Sequence, residues 1–398
     1  MNKLIITAFS ALFILLPLNA QKTAQHYTVI VSLDGFRWDY PTMYETPNLD
    51  RMAEDGVKAV MLPSYPASTF PNHYTLATGL VPDHHGIINN TFWDTKNRRH
   101  YSMGDSVTRN NPGYYLGEPI WLTAQKQGVK TGCIYWVGSD IAIKGSFPTY
   151  HRAWSAKPFL TFEQRIDSAI TWLQKPEEER PRLLMLYFEE PDGCGHRHGP
   201  DSKKTGLVVH RMDSLMGILR AKIESLPIAD CINLIVTSDH GMTEINTERI
   251  VNMKQYLKPE WCEIISGRTP TSIFSKAGYR DSIYNALKKV GHIRVWKKEE
   301  VPAELNYGSS DRIGDLVVAP ELGWQFTDVA RPSKGAHGYF PQDSDMQVIF
   351  RAIGPDFKKG YTATGFVNVD IYSLLAHLLG IVPEKTDGKF ERIRNVLK

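Results

Sequence analysis

Cysteine is scarce in this chain, and no two cysteines have the spacing of a metal-binding or redox pair. The four that occur, Cys133, Cys194, Cys231 and Cys262, are spread over 398 residues without a CxxC motif. We therefore expect no cysteine zinc cluster. In an exported chain four cysteines allow three complete pairings, which the sequence leaves open. Cys194 lies inside a candidate metal motif, and we expect it to stay unpaired.

The chain also lacks a strong excess of positive or negative charge. The formal net charge is only +3, and no run of Lys or Arg accompanies it. Proteins that bind duplex nucleic acid concentrate positive charge on one surface, so we expect no duplex nucleic acid as a partner. Internal repeats, low-complexity tracts and long Pro/Gly/Ser-rich linkers are absent as well. The 42% of hydrophobic residues suffice for one large core, and we expect a monomer.

The longest apolar run is at the N-terminus. Residues 1–20 combine Lys3, an apolar stretch and the small residue Ala20 at a plausible cleavage position. This pattern predicts a secretory signal peptide. An uncleaved anchor is the alternative, but the run is short for a bilayer span of about 20 residues. We expect a secreted or periplasmic protein that is not inserted in a membrane after cleavage.

Apolar runs that end in acidic residues dominate the rest of the sequence. Three of them are typical of parallel strands buried on both faces, at 27–33, 183–188 and 232–237. Helical patterns at 161–174 and 207–226 lie between them. This alternation predicts an α/β fold, a three-layer α/β/α sandwich with a mostly parallel central sheet.

The pattern changes over residues 252–326. Short strands and one helix are predicted there, at 272–274, 293–296, 315–318 and 280–290, without acids or histidines at their ends. We expect a small inserted α+β subdomain within one catalytic domain spanning 21–398.

Acids and histidines follow the three strongest strands. Asp34 comes after the first, Asp192 and His196 after the second, and Asp239 and His240 after the third. Each Asp alone could be a turn former. At one edge of a parallel sheet, however, clustered carboxylates would repel one another without cations. Mixed Asp and His ligands suit zinc.

His337 is a further candidate ligand, because the flanking Gly335 and Gly338 permit close backbone approach. A lone histidine is more often structural, and we interpret the others as structural or solvated, including His84, His85, His198, His292 and His377.

A hydroxyl pair precedes the helical pattern that begins near residue 69. Ser68 or Thr69 could simply cap this helix, with Pro71 in its first turn. The functional alternative is a nucleophile at the positive end of a helix, where backbone N–H groups face an anion.

These motifs occur in the order VSLDGFRWDY, STFPNHYTLATGL, PDHHGI, EEPDGCGHRHGP, TSDHGM and GAHGYF. Together they resemble the nucleotide pyrophosphatase/phosphodiesterase family of the alkaline phosphatase superfamily, from about residue 29 to residue 380. The resemblance implies an alkaline phosphatase-like fold and two zinc ions. One ion would be held by Asp34, Thr69, Asp239 and His240, and the other by Asp192, His196 and His337.

The resemblance also implies roles in catalysis. Thr69 would be the nucleophile and form a phosphothreonine intermediate. Asn90, with the backbone N–H of Phe70, would steady a phosphorus oxygen. In this sequence Tyr339 is followed by Phe340, where relatives commonly carry Asp, so the support of His337 is open.

Family members divide between nucleotide and lysophospholipid hydrolases, and the loop at 135–148 resembles the nucleotide type. By that match Phe70 and Trp154 would sandwich a base, and Trp136 and Asp140 would shape the pocket floor. The alternative for these aromatic residues is an ordinary core position. Arg109 could lie near a terminal phosphate.

The expected function is hydrolysis of nucleoside triphosphates and nucleotide diesters to nucleoside 5′-monophosphates. A phosphodiesterase for lysophospholipid or choline-phosphate headgroups is the alternative. A catalytically inactive binding module would require a missing ligand, whereas all seven are present.

Overall fold

Nine strands form the central sheet, and the three predicted apolar runs lie side by side within it. The computed structural model describes residues 25–246, 248–326 and 333–398, so the predicted signal peptide lies outside the described residues. In spatial order the strands are β18 (Tyr361–Thr362), β2 (Val57–Leu62), β17 (Val348–Ile353), β8 (Ile232–Thr237), β1 (Tyr27–Leu33), β7 (Leu183–Phe188), β5 (Thr131–Ile134) and β6 (Tyr150–Arg152), with β19 (Phe366–Val367) also paired to β2.

The sheet is mostly parallel. Only β17 runs antiparallel to its neighbours, β2 and β8. All residues of β1, β7 and β8 are buried, as expected for strands covered on both faces. Leu33 lies opposite Phe188 and Ser32 opposite Thr237. The three carboxyl ends are therefore level, and the loops that follow them start at the same edge.

Helices pack in two groups around this sheet. One group joins α2 (Pro47–Asp55) and α7 (Phe162–Leu173) to α9 (Lys203–Glu224); the other joins α3 (Thr69–Thr78) and α6 (Ile120–Lys126) to α11 (Asp370–Leu379). The remaining helices are α1 (Tyr40–Met43), α4 (Pro82–His85), α5 (Ser106–Arg109), α8 (Asp192–His198), α10 (Arg280–Leu287) and α12 (Phe390–Ile393).

The two helices predicted between the strands are confirmed as α7 and α9. Helix α9 starts earlier than predicted because the Ser202 side chain accepts a hydrogen bond from the backbone N–H of Thr205 and so caps the helix there.

A second, antiparallel sheet lies within the predicted insertion. Its strands, in spatial order, are β11 (Cys262–Gly267), β12 (Thr271–Ser275), β14 (Leu316–Pro320) and β13 (Ile293–Lys297). The three predicted strands and the helix are confirmed, and β11 is additional. Ile273, Ile283, Leu287 and Leu316 belong to a core of their own. The boundaries 252–326 of a subdomain stay a prediction.

Three further strand pairs lie in loops. They are β3 (Thr91–Asp94) with β4 (Arg99–Ser102), β9 (Thr243–Glu244) with β16 (Gly335–Ala336), and β10 (Ile250–Val251) with β15 (Gln325–Phe326). All four cysteines, including Cys194, are free thiols. Among the described residues, no helix has both the length and the apolar composition of a bilayer span.

Candidate active site

The loops after β1, β7 and β8 are hydrogen-bonded to one another at the carboxyl edge of the sheet. The backbone N–H of Asp192 donates to the carbonyl oxygen of Asp34 at 2.9 Å. The N–H of Gly35 donates to Oδ1 of Asp239 at 3.2 Å. Helix α8 begins at Asp192. The three predicted acids are thus brought together by the level ends of their strands, as expected for a parallel sheet.

One group of polar atoms surrounds Nε2 of His240. Oδ1 of Asp34 lies 3.3 Å from this nitrogen, Oδ2 of Asp239 lies 3.2 Å from it, and Oγ1 of Thr69 lies 3.0 Å from it. The side chains of Asp34, Asp239, His240 and Thr69 are all buried. The structure therefore brings together the four residues that the resemblance implies for one ion.

A second group adjoins the first. Oδ1 of Asp192 lies 3.3 Å from Nε2 of His196 and 3.7 Å from Nε2 of His337. The rings of His337 and His240 stack with centroids 3.7 Å apart. His240 can thus join Asp192 and His337 in one metal-capable group, and Asp34 and Asp239 in another. We refer to Asp34, Thr69, Asp192, His196, Asp239, His240 and His337 as the ligand cluster.

All three histidines of the ligand cluster have the same orientation. The Nδ1 atoms of His240, His196 and His337 donate to the backbone carbonyl oxygens of Gly241 at 2.8 Å, Gly335 at 2.7 Å and Ala67 at 3.0 Å, respectively. Because a carbonyl only accepts, Nδ1 carries the proton and Nε2 of a neutral ring presents its lone pair to the cluster. The support of His337, which the sequence left open, comes from the backbone at Ala67.

Three carboxylate oxygens of the ligand cluster lack a hydrogen-bond donor. Oδ1 of Asp34, Oδ1 of Asp192 and Oδ2 of Asp239 are buried without a hydrogen-bond partner among the described residues. Burial and the charges of Asp239 and Asp192 raise the pKa of Asp34 well above its usual range. Burial also acts to raise the pKa of Asp192, but His196 and His337 outweigh it, and the pKa is lowered. Such oxygens are costly to bury without a cation.

The donor set fits metal ions. Two ligands of a tetrahedral zinc ion with bonds of about 2.0–2.1 Å lie roughly 3.3 Å apart. The separations of 3.3, 3.2 and 3.3 Å between carboxylate oxygens and imidazole nitrogens agree with that distance. Imidazole nitrogen and carboxylate oxygen are also the ligand types that zinc accepts.

Asn72 holds the entry to helix α3 and so positions Thr69. Ser68 is the N-cap residue, but its side chain makes no capping hydrogen bond. Nδ2 of the buried Asn72 donates to the carbonyl oxygens of Pro66 at 2.8 Å and Ser68 at 2.9 Å. Its Oδ1 accepts from the backbone N–H of Ser64 at 2.7 Å. Thr69 is consequently the first helical residue, with its hydroxyl directed at His240.

Two further residues support the ligand cluster, and sequence reasoning missed both. The Tyr187 hydroxyl donates to Oδ2 of Asp34 at 2.5 Å. Nδ1 of His73 donates to the carbonyl oxygen of Thr69 at 2.9 Å and lies 3.3 Å from Oδ2 of Asp239. Burial lowers the pKa of His73 despite the opposing charge of Asp239. The sequence could have indicated His73, because it lies one helical turn after Thr69. Tyr187 lies within an apolar strand, and nothing in the sequence distinguishes it from a core residue.

Comparisons with known proteins agree with this geometry. The family model "Type I phosphodiesterase / nucleotide pyrophosphatase" matches residues 28–340. Ectonucleotide pyrophosphatase/phosphodiesterase family member 7 of Rattus norvegicus is 36% identical over 386 residues, covering 92% of this chain and 86% of the rat protein. Family member 1 of Homo sapiens is 34% identical over 392 residues, covering 93% of this chain and 42% of the human protein.

A solved structure is also similar. Murine ectonucleotide pyrophosphatase / phosphodiesterase 5, in an inactive form in complex with AMP, has a TM-score of 0.89 at 33% identity and covers 94% of this chain and 100% of that chain. The chain belongs to the type I phosphodiesterase/nucleotide pyrophosphatase family. The resemblance, the alkaline phosphatase-like α/β fold and the assignment as a hydrolase of phosphodiester and pyrophosphate bonds are thereby confirmed.

Asn90 lies beside the start of α3 in this phosphodiesterase. Its Oδ1 accepts a hydrogen bond from the backbone N–H of Phe70 at 2.9 Å. The two groups expected to steady a phosphorus oxygen therefore bond to each other. Nδ2 is then the donor that Asn90 can offer to a phosphate, while its backbone is held by Asn89, whose Oδ1 accepts from the N–H of Asn90 at 2.7 Å.

The candidate base pocket is a set of packed aromatic rings. Trp154 is half-buried, and its ring lies 5.4 Å from Tyr135 and 5.9 Å from Tyr187 between centroids. The backbone N–H of Trp154 donates to Oδ2 of Asp140 at 3.3 Å. Trp136 is only 1% exposed, and its indole N–H donates to the carbonyl oxygen of His73 at 3.1 Å. Trp136 thus packs against helix α3, and a contact between these residues and a base stays a prediction.

Arg109 is held within its own loop. Its Nη1 donates to the carbonyl oxygen of Met103 and its Nε to Oδ1 of Asn110, both at 3.2 Å. The backbone N–H of Met103 in turn donates to the carbonyl oxygen of Asn90 at 2.9 Å. Arg109 is therefore connected to Asn90 through Met103, and its predicted contact with a terminal phosphate stays a prediction.

Proposed function

We propose that this phosphodiesterase uses two zinc ions to hydrolyse nucleoside triphosphates and nucleotide diesters to nucleoside 5′-monophosphates through a phosphothreonine on Thr69. The observation that carries the proposal is the approach of the Thr69 hydroxyl to a cluster of imidazole nitrogens and buried carboxylate oxygens. Three of these oxygens have no hydrogen-bond partner within the described residues. The AMP bound to the similar murine protein supports a nucleotide substrate.

The ligand cluster would hold the two ions as the resemblance implies. Asp34, Thr69, Asp239 and His240 would bind one ion; Asp192, His196 and His337 would bind the other. When bound, zinc supplies positive charge that shields the phosphate oxygens and lowers the pKa of the attacking hydroxyl.

The residues of this chain account for a two-step displacement. Oγ1 of Thr69 forms a bond to phosphorus, the bond from phosphorus to the leaving oxygen breaks, and the hydroxyl proton is released to water. Water then attacks the phosphothreonine, which restores Thr69 and releases the nucleoside monophosphate. The N-terminus of α3 faces the phosphate with its positive end, and Nδ2 of Asn90 donates to a phosphoryl oxygen.

The neutral side chain of Asn90 also favours diesters over monoesters. A diester carries one negative charge at the reacting phosphate and a monoester carries about two at neutral pH. A neutral amide compensates the second charge poorly, whereas a cationic side chain would match it. We therefore expect monophosphates to be released rather than hydrolysed further.

Export is part of the proposal. Residues 1–20 have the pattern of a signal peptide, and relatives such as rat family member 7 are named as ectonucleotide enzymes. The enzyme would act outside the cytoplasm, in the medium or the periplasm, on small-molecule nucleotides.

The central test combines a metal analysis with isotope labelling and with the stereochemistry at phosphorus. Purified protein should contain about two zinc ions per chain by elemental analysis. ATP hydrolysed in ¹⁸O-labelled water should give labelled AMP and unlabelled pyrophosphate. A chiral phosphorothioate diester should react with retention of configuration at phosphorus, because two in-line displacements restore the original configuration.

Each arm can contradict one part of the proposal. An active preparation with one metal ion or none would exclude the two-zinc site. Inversion at phosphorus would replace the phosphothreonine by direct attack of water. Faster hydrolysis of p-nitrophenyl phosphocholine than of any nucleotide would favour the phospholipid-headgroup alternative.

A further inference from the structure

The turn between β11 and β12 reaches from the second sheet to the ligand cluster. Gly338, directly after His337, has a φ of +99°, and a Cβ atom there would lie 2.5 Å from the carbonyl oxygen of Thr269. Only a glycine fits such an approach without displacing the backbone. The turn at residues 268–270 is thus in contact with the segment that carries a candidate metal ligand.

The same turn touches the segment that carries Asn90. Nδ2 of the buried Asn89 donates to the carbonyl oxygen of Pro270 at 3.1 Å. Asn89 in turn accepts from the backbone N–H of Asn90 at 2.7 Å. The turn therefore lies between the segment of Asn90, the candidate phosphate-binding amide, and the segment of His337.

Arg268 is the charged residue of this turn. Its side chain is exposed, and no hydrogen bond or ion pair engages its guanidinium within residues 25–246, 248–326 and 333–398. Its backbone is anchored, because Oγ1 of Thr271 donates to the carbonyl oxygen of Arg268 at 2.9 Å. An unpaired cation on an anchored backbone beside an anion-binding site differs from an ordinary solvated arginine.

The turn that carries Arg268 lies on one side of the ligand cluster. It contacts Gly338, directly after His337, and Nε2 of His337 lies 3.7 Å from Oδ1 of Asp192 in one metal-capable group. The turn therefore lies on the side of Asp192 and His337.

The candidate base pocket is on the other side. Trp154 packs against Tyr187 with centroids 5.9 Å apart, and the Tyr187 hydroxyl binds Asp34. Thr69 also belongs to the Asp34 side of the cluster. In phosphoryl transfer the attacking and leaving oxygens are roughly in line, so the leaving group departs away from Thr69, toward the side of Arg268.

We propose that Arg268 binds the phosphate groups of the leaving group and selects nucleotides with a charged phosphate chain over diesters with an uncharged or weakly charged leaving group. This inference rests on the proposed function and adds a specificity residue to the same site. Guanidinium groups pair readily with phosphate oxygens. Arg268 can therefore take the role that the sequence assigned to Arg109, whose guanidinium is engaged by Met103 and Asn110.

The first experiment compares two substrates that differ in their leaving group. Arg268→Ala should lower kcat/KM for ATP roughly tenfold and should lower kcat/KM for the p-nitrophenyl ester of thymidine monophosphate by a clearly smaller factor. Arg268→Lys should recover part of the loss on ATP. Arg211→Ala is the matched control, since Arg211 is an exposed arginine of α9 paired with Glu163 at 3.5 Å.

The second experiment measures binding without turnover. In a Thr69→Ala background, calorimetry should show that Arg268→Ala weakens ATP binding roughly tenfold and AMP binding much less, because AMP lacks the leaving group. Equal losses on both ligands, or on both substrates, would overturn the role of Arg268. A chain that neither hydrolyses nucleotides nor binds AMP would instead contradict the proposed function.

Discussion

The ligand cluster and the candidate base pocket differ in how their polar groups are satisfied. In the cluster, Oδ1 of Asp34 and Oδ2 of Asp239 are buried and have no hydrogen-bond donor in the part of the chain that the structure describes. In the base pocket, Asp140 accepts from the backbone of Trp154, and the indole of Trp136 is bonded to the backbone of His73.

We expect the ligand cluster to serve the reaction and the candidate base pocket to determine the choice of substrate. The cluster lies at the ends of three central strands whose register is set by the sheet, so its atoms are held in positions that fit a metal ion. The candidate base pocket is built mainly on the loop after β5, and its polar groups are hydrogen-bonded to the backbone of Trp154 and of helix α3. Changes in the cluster should therefore affect all substrates, whereas changes in the pocket should distinguish between them.

The largest effect is expected from Thr69→Ala. Removing the attacking oxygen should lower turnover by at least roughly 10⁴-fold on every substrate, with both metals still bound by elemental analysis. Thr69→Ser should retain part of the activity. Ser68→Ala is the matched control, because the Ser68 side chain makes no capping hydrogen bond. Near-normal turnover of Thr69→Ala would show that Thr69 is not the nucleophile.

Asp239→Asn should rank next. The amide removes one negative charge from the cluster, so zinc content should fall and kcat should drop by roughly 10³-fold, while thermal stability measured without metal changes little. Asp213→Asn is the contrasting variant: Asp213 is equally buried but lies outside the motifs and accepts from the N–H of Leu49 at 2.8 Å. Asp213→Asn should lower the thermal stability and leave kcat unchanged. If instead Asp239→Asn lowered the stability and left kcat unchanged, a metal site at Asp239 would be contradicted.

Trp154→Ala sharpens the comparison on the pocket side. Loss of one stacking partner should lower kcat/KM for ATP roughly 5- to 150-fold, equivalent to about 1–3 kcal/mol. Bis-p-nitrophenyl phosphate carries no base, so kcat/KM for this substrate should fall by a smaller factor. Equal losses on the two substrates would mean that Trp154 supports the fold through Tyr135 and Tyr187 rather than binding a base.

Tyr187→Phe should have the smallest effect of the four. It removes the hydroxyl that donates to Asp34 and keeps the ring, so zinc affinity should fall about tenfold. Competition with a chelator would measure this change. Activity at saturating zinc should be close to normal for all substrates, and a loss confined to nucleotides would place Tyr187 in the base pocket instead.

The main strands were predictable because burial on both faces leaves a continuous apolar run. Residues 27–33, 183–188 and 232–237 became β1, β7 and β8 with the predicted bounds. Strand β11 was missed because all its residues except Ser266 are exposed or half-buried, and because it carries charges such as Glu263. Short, half-exposed strands have too weak a period to be told from loops.

By itself, the sequence determined the fold class, the family and which acids and histidines follow the strands, since these depend on local composition and motif order. Only the tertiary structure decided that His73 and Tyr187 support the cluster and that Ala67 orients His337. It also decided that, among the described residues, the guanidinium of Arg268 has no hydrogen-bond or ion-pair partner, whereas that of Arg109 is bonded within its own loop. These contacts join residues far apart in the chain, and only the strand register and the packing of the second sheet bring them within hydrogen-bonding distance.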